Sequence, residues 1–188
     1  MVGAKQGFYG LLSKEIPFVI TVHCMAHRLE LSLKDCLKKG ISEKVVSGLL
    51  LSLFYFYHKS PRNRSLLKLS FKSLALKPRI PTRVGGTRWV SHLYNALEVW
   101  KASYPAICQQ LEQLQQGDTK RSTGAAKAKK LLSSMKDKNI VHFCHLLLDV
   151  TFHLRMLSLI CQRQTAIVSE VKSEIDATVT ILKQFKTS

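Results

Sequence analysis

Carboxylates are scarce in this chain and absent from long stretches of it. Only 12 Asp and Glu stand among 188 residues, against 29 Lys and Arg. The first acid is Glu15, the first aspartate is Asp35, and none lies between Val45 and Leu97. Glu30 and Asp35 fall on one helical pattern but are five residues apart, so they leave it on different faces. Glu98, Glu112 and Asp149 are scattered further along. Two-metal nuclease chemistry holds its ions about 4 Å apart between several acids. No such cluster is spelled out here. A Ser-His-Asp or Cys-His nucleophile arrangement is missing as well, and so is a phosphate-loop lysine motif. The chain is therefore expected to be no enzyme, with no catalytic residue and no cofactor.

Long apolar runs are also lacking. The longest, Gly48 to Tyr57, is interrupted by Ser52 and is about half of what a membrane span needs. The opening residues carry Lys5 and three glycines within the first twelve, which is not a secretory pattern. No membrane partner is expected. The five cysteines (Cys24, Cys36, Cys108, Cys144, Cys161) are an odd number, and three sit among apolar residues. That favours reduced, buried thiols in a nuclear or cytosolic setting over a disulfide framework.

What the chain does have is positive charge, a formal +17. Such a charge raises encounter with polyanions, nucleic acid first. It is unevenly spread. Between Val45 and Leu97 there are nine Lys and Arg with no acid: Lys59, Arg62, Arg64, Lys68, Lys72, Lys77, then Arg79, Arg83 and Arg88. A second cluster is Lys120, Arg121, Lys127, Lys129 and Lys130, while the C-terminal segment is nearly balanced. DNA binding is expected to localise to stretch 59–88, on Arg62, Arg64, Lys68, Lys72, Arg79, Arg83 and Arg88.

The pattern along the chain is mostly helical. A short helix is expected over residues 3 to 12, then a buried strand at Phe18 to His23, where FVITVH is β-branched and aromatic. From Ala26, Leu29, Leu33 and Leu37 repeat every four residues, and Gly40 supplies a stop. Ser42 and Glu43 can open a helix that is apolar nearly all round, hence central. A basic helix follows the turn at 60–63, with Leu66, Leu69 and Leu74 near one face. KPRIPTRVGG, residues 77–86, is an irregular connection. Beyond it the chain reads as helical throughout, with Leu93, Leu97, Trp100 and Tyr104 on one face, a kink or split at Pro105, and a polar loop at 115–124. Helices are then expected over 125–135, 140–164 and 165–185.

Three motifs carry competing interpretations. His23, Cys24 and His27 stand at the strand-to-helix junction, and Cys-x-x-His can hold zinc. The other candidates, His142, Cys144 and His145, are more than a hundred residues away. His27 is thus expected to be a structural histidine satisfied by local bonds, with no metal site. The aromatics Phe54, Tyr55, Phe56 and Tyr57 adjoin the basic run and could stack on bases. They are expected to be core, with Tyr57 the exception. GGTRWVSH, residues 85–92, could feed an anion to a helix N-terminus beside Arg88, or be a turn whose Arg and Trp pack inward.

Four blocks resemble the hAT superfamily of DNA transposases, in the form domesticated within vertebrate zinc-finger proteins. They are MVGAKQGF (1–8), HCMAHRLELSLKD (23–35), FYHKSPRNRSLLK (56–68) and RVGGTRWVSHL (83–93). The resemblance implies an RNase H-like core with a large helical insertion: a predominantly helical α+β fold. Residues 1–90 would be the partial core and 91–188 the helical insertion region. It implies that Cys24, His27, Arg88 and Trp89 are motif residues of that core. It also places the family's two catalytic aspartates before Met1 and its glutamate after Ser188, so a truncated, inactive nuclear protein is expected. Nucleic-acid binding is the leading function, with protein interaction the alternative, through apolar surface left by missing strands.

Overall fold

The computed structural model describes residues 7–16, 18–19, 24–86, 88–116 and 123–185. The described chain is predominantly helical and contains no strand. Helix α1 is Phe8–Glu15, α2 is Met25–Cys36 and α3 is Gly40–Glu43. A π-helical segment, Lys44–Leu51, continues α3 directly into α4, Ser52–His58. Backbone angles at Lys44, Leu51 and Ser52 stay helical, so the three form one rod. Then come α5 (Pro61–Ser73), α6 (Trp89–Gln116), α7 (Thr123–Lys136), α8 (Lys138–Gln162) and α9 (Val168–Gln184).

Helix α6 is the spine. It packs on α5, α7, α8 and α2, while α8 packs on α6, α2, α9 and α7. By length and composition alone α8 is apolar enough to cross a membrane, and 39% of its apolar window is buried inside the fold. Its residues Ile140, Cys144, Leu147 and Leu148 belong to the main core. That core runs from Val45 to Leu148 without a break at residue 90. Its largest fully buried side chains include Trp100, Tyr57 and Phe71, each contributing on the order of 2–3 kcal/mol by leaving water. A smaller cluster of Leu33, Val90 and Leu154 is joined to it by Trp89, which packs against both.

Several expectations are corrected. The described part of the strand expected at Phe18 to His23 is not extended. Phe18 stands in a turn closed by Val19 N–H donating to Ile16 C=O, and it is 85% exposed. A lone strand has no neighbour to take its backbone bonds; residues 20–23 of that expectation lie outside the described residues. The first helix is Phe8–Glu15, and residues 3–6 of its expected range also lie outside them. Gly40 opens α3 at φ +68°, whereas α2 has already ended at Cys36. On α5 the buried side chains are Leu67, Ser70 and Phe71, while Leu69 is 61% exposed and Leu74 is also exposed. Phe71 decides the face, because turning it inward buries more apolar area than the outer leucines would.

Pro105 does not split α6, which is continuous over Trp89–Gln116. The proline removes one bond to the carbonyl of Lys101. Pro105 and Lys101 are both on the solvent side, where water can take that carbonyl.

Candidate nucleic-acid interface

The chain's own hydrogen bonds first fix the walls of a cleft. Ser60 caps α5 by accepting from Asn63 N–H at 3.2 Å, and Asn63 Nδ2 reaches back to the Phe56 carbonyl at 3.2 Å. With Pro61 in the first turn, this sets a sharp corner between α4 and α5. Tyr57 then locks α4 to α6, its hydroxyl donating to Gln110 Oε1 at 2.8 Å in the core. On the other wall, α7 is tied down at its C-terminal end. Trp100 Nε1 donates to Met135 Sδ, Tyr104 OH donates to the Met135 carbonyl at 2.7 Å, and Lys136 pairs with Glu112 at 2.6 Å. Buried Ala128, Leu131 and Met135 face the core, so Lys127 and Lys130 face out.

Between these walls lies a cavity of about 600 Å³. Phe56, Leu114 and Leu131 give it an apolar floor, and Gly48 and Ser52 of the helical rod form one edge. Lys59, Arg62, Lys127 and Lys130 are its charged side chains; no acid lines it. None of these four makes an ion pair with a described residue. The first turns of α5 and α7, represented by Ser60 and Gly124, border the same space and contain no acid. Two positive helix ends thus add to the four cations.

Tyr55 completes the cleft. It is 42% exposed, its edge meets Phe54 at 5.2 Å, and the Lys59 ammonium lies 5.2 Å from its ring centre. A cation–π contact at this exposure contributes about 0.5–1 kcal/mol, little enough to be exchanged for another partner. The expectation for the aromatic run is corrected here. Tyr57 is 0% exposed and is core; Tyr55 is the exception. The helical rod explains the inversion: Leu49, Leu50, Leu53 and Tyr57 turn inward together, which leaves Tyr55 on the outer side.

The expected basic site is divided by the fold. Arg62 faces the cleft. Arg64 and Lys68 line a separate, more open hollow of about 400 Å³ with Ile80. With Lys72 they repeat every four residues, and around α5 they stand about 160°, 120° and 80° from Arg62 in turn. Arg79 and Arg83 project from the irregular connection, whose Ile80, Pro81 and Val84 turn inward and whose Arg79 carbonyl accepts from Ser103 at 2.9 Å. Lys59, Lys127, Lys130 and Tyr55 complete the cleft but were outside the expected list of binding residues. Their signal was the fusion of two cation clusters, which only the packing of α7 against α6 and the π-helical segment discloses. Lys120 and Arg121 of the second cluster lie outside the described residues.

The turn at GGTRWVSH takes an anion from within. Glu30 of α2 is buried, and its carboxylate accepts from Val90 N–H of α6 at 2.5 Å. The N-terminus of α6 is therefore occupied by the chain's own acid, and the anion-binding alternative for this turn is replaced. Arg88 is exposed at the start of α6, while Trp89 packs inward between the two apolar clusters.

No group of three or more potential metal ligands gathers among the described residues. Cys24, the N-cap of α2, and His27 on its first turn are both exposed, and the His27 imidazole has no hydrogen bond to a described residue, in place of the local bonds expected for it. His142 and His145 are exposed on α8 while Cys144 is buried; His23 lies outside the described residues. All five thiols are free, but exposure divides them. Cys24 and Cys36 are exposed, Cys108 and Cys161 are half-buried, and burial pushes the Cys144 thiol up to about 12. No family model matches this chain, and no solved structure matches it.

Proposed function

We propose that this chain is a catalytically inactive, transposase-derived nucleic-acid-binding module of the nucleus. One observation carries the binding part: two cation clusters far apart in sequence gather around one acid-free cleft with two helix N-termini at its rim. Opposed like charges in a cleft raise the local potential and attract phosphate. The descent rests on the four hAT-like sequence blocks. In that reading the described helices belong largely to the helical insertion. The finer expectation, a partial RNase H-like core, is kept as part of the same proposal.

The test is binding of a labelled DNA to the purified chain across a salt series. The matched variant carries Lys59→Gln, Arg62→Gln, Lys127→Gln and Lys130→Gln. Each phosphate neutralised contributes about 0.7–0.9 to the slope of log affinity against log salt. The variant should lose roughly 3 from that slope and on the order of a hundredfold in affinity. An unchanged slope would remove the cleft from the reading. Binding that ignores salt would point to apolar protein association instead. The exposed α8 residues Phe152, Met156 and Leu159, spaced along one helix face, are the surface that reading would use.

A further inference from the structure

We infer that the cleft selects single-stranded over double-stranded nucleic acid, seating one unstacked base on Tyr55. The inference rests on the proposed polyanion binding and adds the class of ligand.

Cations alone do not distinguish a single strand from a duplex, because both present phosphates. The aromatic ring does. In a duplex the faces of the bases are covered by their neighbours, and a protein ring reaches one only when the base is unstacked. Tyr55 does not stand on a convex surface where it could lie along a groove. It is set in a cavity of about 600 Å³ with Phe56, Leu114 and Leu131 beneath. That space admits a base and its sugar, whereas a duplex would meet only the rim.

The charges are arranged for the same ligand. Lys59 and Arg62 flank Tyr55 on one wall, and Lys127 and Lys130 stand on the other. A strand crossing the cleft can place phosphates against both walls while one base turns down between them. The Lys59 ammonium, now over the Tyr55 ring, would move to a phosphate as the base takes its place. The base is the better partner for the ring, and the phosphate the better partner for the ammonium. Phe54 and Tyr55 meet in an edge-type contact with ring centres 5.2 Å apart.

The experiment compares three ligands of equal length by fluorescence anisotropy at one salt concentration. They are an oligothymidine strand, the same strand with abasic sugars, and a duplex. The full-length chain is used, with Tyr55→Ala and Tyr55→Phe beside it. The expected result is about tenfold tighter binding of oligothymidine than of the abasic strand. Tyr55→Ala should erase that difference and leave abasic and duplex affinities unchanged; Tyr55→Phe should keep it. Because Tyr55 is half exposed, thermal unfolding of both variants should match that of the unmodified chain. Equal, salt-sensitive affinity for all three ligands would overturn the single-strand inference and leave polyanion binding standing. A preference that survives in Tyr55→Ala would also overturn it. Absence of binding to any of the three would overturn both.

Discussion

Two basic arrays lie within a few residues of each other on this molecule, and they differ in what surrounds the charge. The outer array on α5, Arg64, Lys68 and Lys72, runs along a single helix face. Pro61, Ser65 and Ile80 share the hollow that Arg64 and Lys68 line, and no aromatic ring does. The cleft array, Lys59, Arg62, Lys127 and Lys130, comes from the two sides of a cavity and includes Tyr55. A row of cations along one helix, in an open hollow, is well solvated, and salt screens it within about 10 Å. Cations from two walls of a cleft share one small volume, so their fields add. The comparison teaches that counting Lys and Arg along a chain measures charge, whereas the walls that gather them decide where a ligand can use it.

The largest effect should come from exchanging one array for the other in the same assay. Neutralising the cleft array should cost on the order of a hundredfold in DNA affinity. Neutralising Arg64, Lys68 and Lys72 with glutamine should cost less than about tenfold, although it removes nearly as much charge. Equal losses, read from the two salt series, would collapse the distinction.

Next in size is a change that should spare both arrays. Glu30→Ala removes the acid that caps α6 and leaves a buried N–H without a partner. The expected cost is about 1–3 kcal/mol in denaturant unfolding. The slope of DNA affinity against salt should stay the same. Recovery of an anion site at the vacated N-terminus would show as an increased slope.

The cleft can also be closed without altering its charge. Gly48 lies on its edge, and an added Cβ there meets no atom within 4 Å. Gly48→Trp should fill the cavity and lower DNA affinity about tenfold, provided the cleft is the site. Gly48→Ala should leave binding unchanged and stabilise the rod by up to about 1 kcal/mol. Binding unaffected by the tryptophan would move the site to the outer array.

The smallest effects are controls on the scaffold. Ala75 ends α5 at φ +52°, inside a Schellman turn in which Leu76 N–H donates to the Phe71 carbonyl at 2.9 Å. Ala75→Gly should stabilise by about 1 kcal/mol in thermal unfolding, with DNA binding unchanged. A thiol reagent near pH 8 should modify Cys24 and Cys36 first and Cys144 only on unfolding. Fast loss of all five thiols would contradict the packing of α8.

Much of this was legible beforehand, for physical reasons that differ by element. The periodic leucines of α2 and the face Leu93, Leu97 and Trp100 of α6 were visible because helical burial imposes its period on local sequence. The irregular connection at 77–86 was marked by its prolines and glycines. The outward face of α5 was misread, because Leu69 and Phe71 are both apolar and only the presence of α6 chooses between them. Tyr57 and Tyr55 were inverted for a related reason. Two residues of like chemistry, two positions apart, sit on opposite sides of a helix.

By itself the sequence determined the helical character, the excess of positive charge and the scarcity of carboxylates. These follow from composition and short-range period, which no distant contact can alter. The tertiary structure alone decided that Lys127 and Lys130 stand across from Lys59 and Arg62, and that Tyr55 lies between them. It also decided that Glu30 fills the N-terminus of α6. Each brings together segments some 60 or more positions apart, through helix packing around α6 and α8, and packing depends on which apolar faces meet.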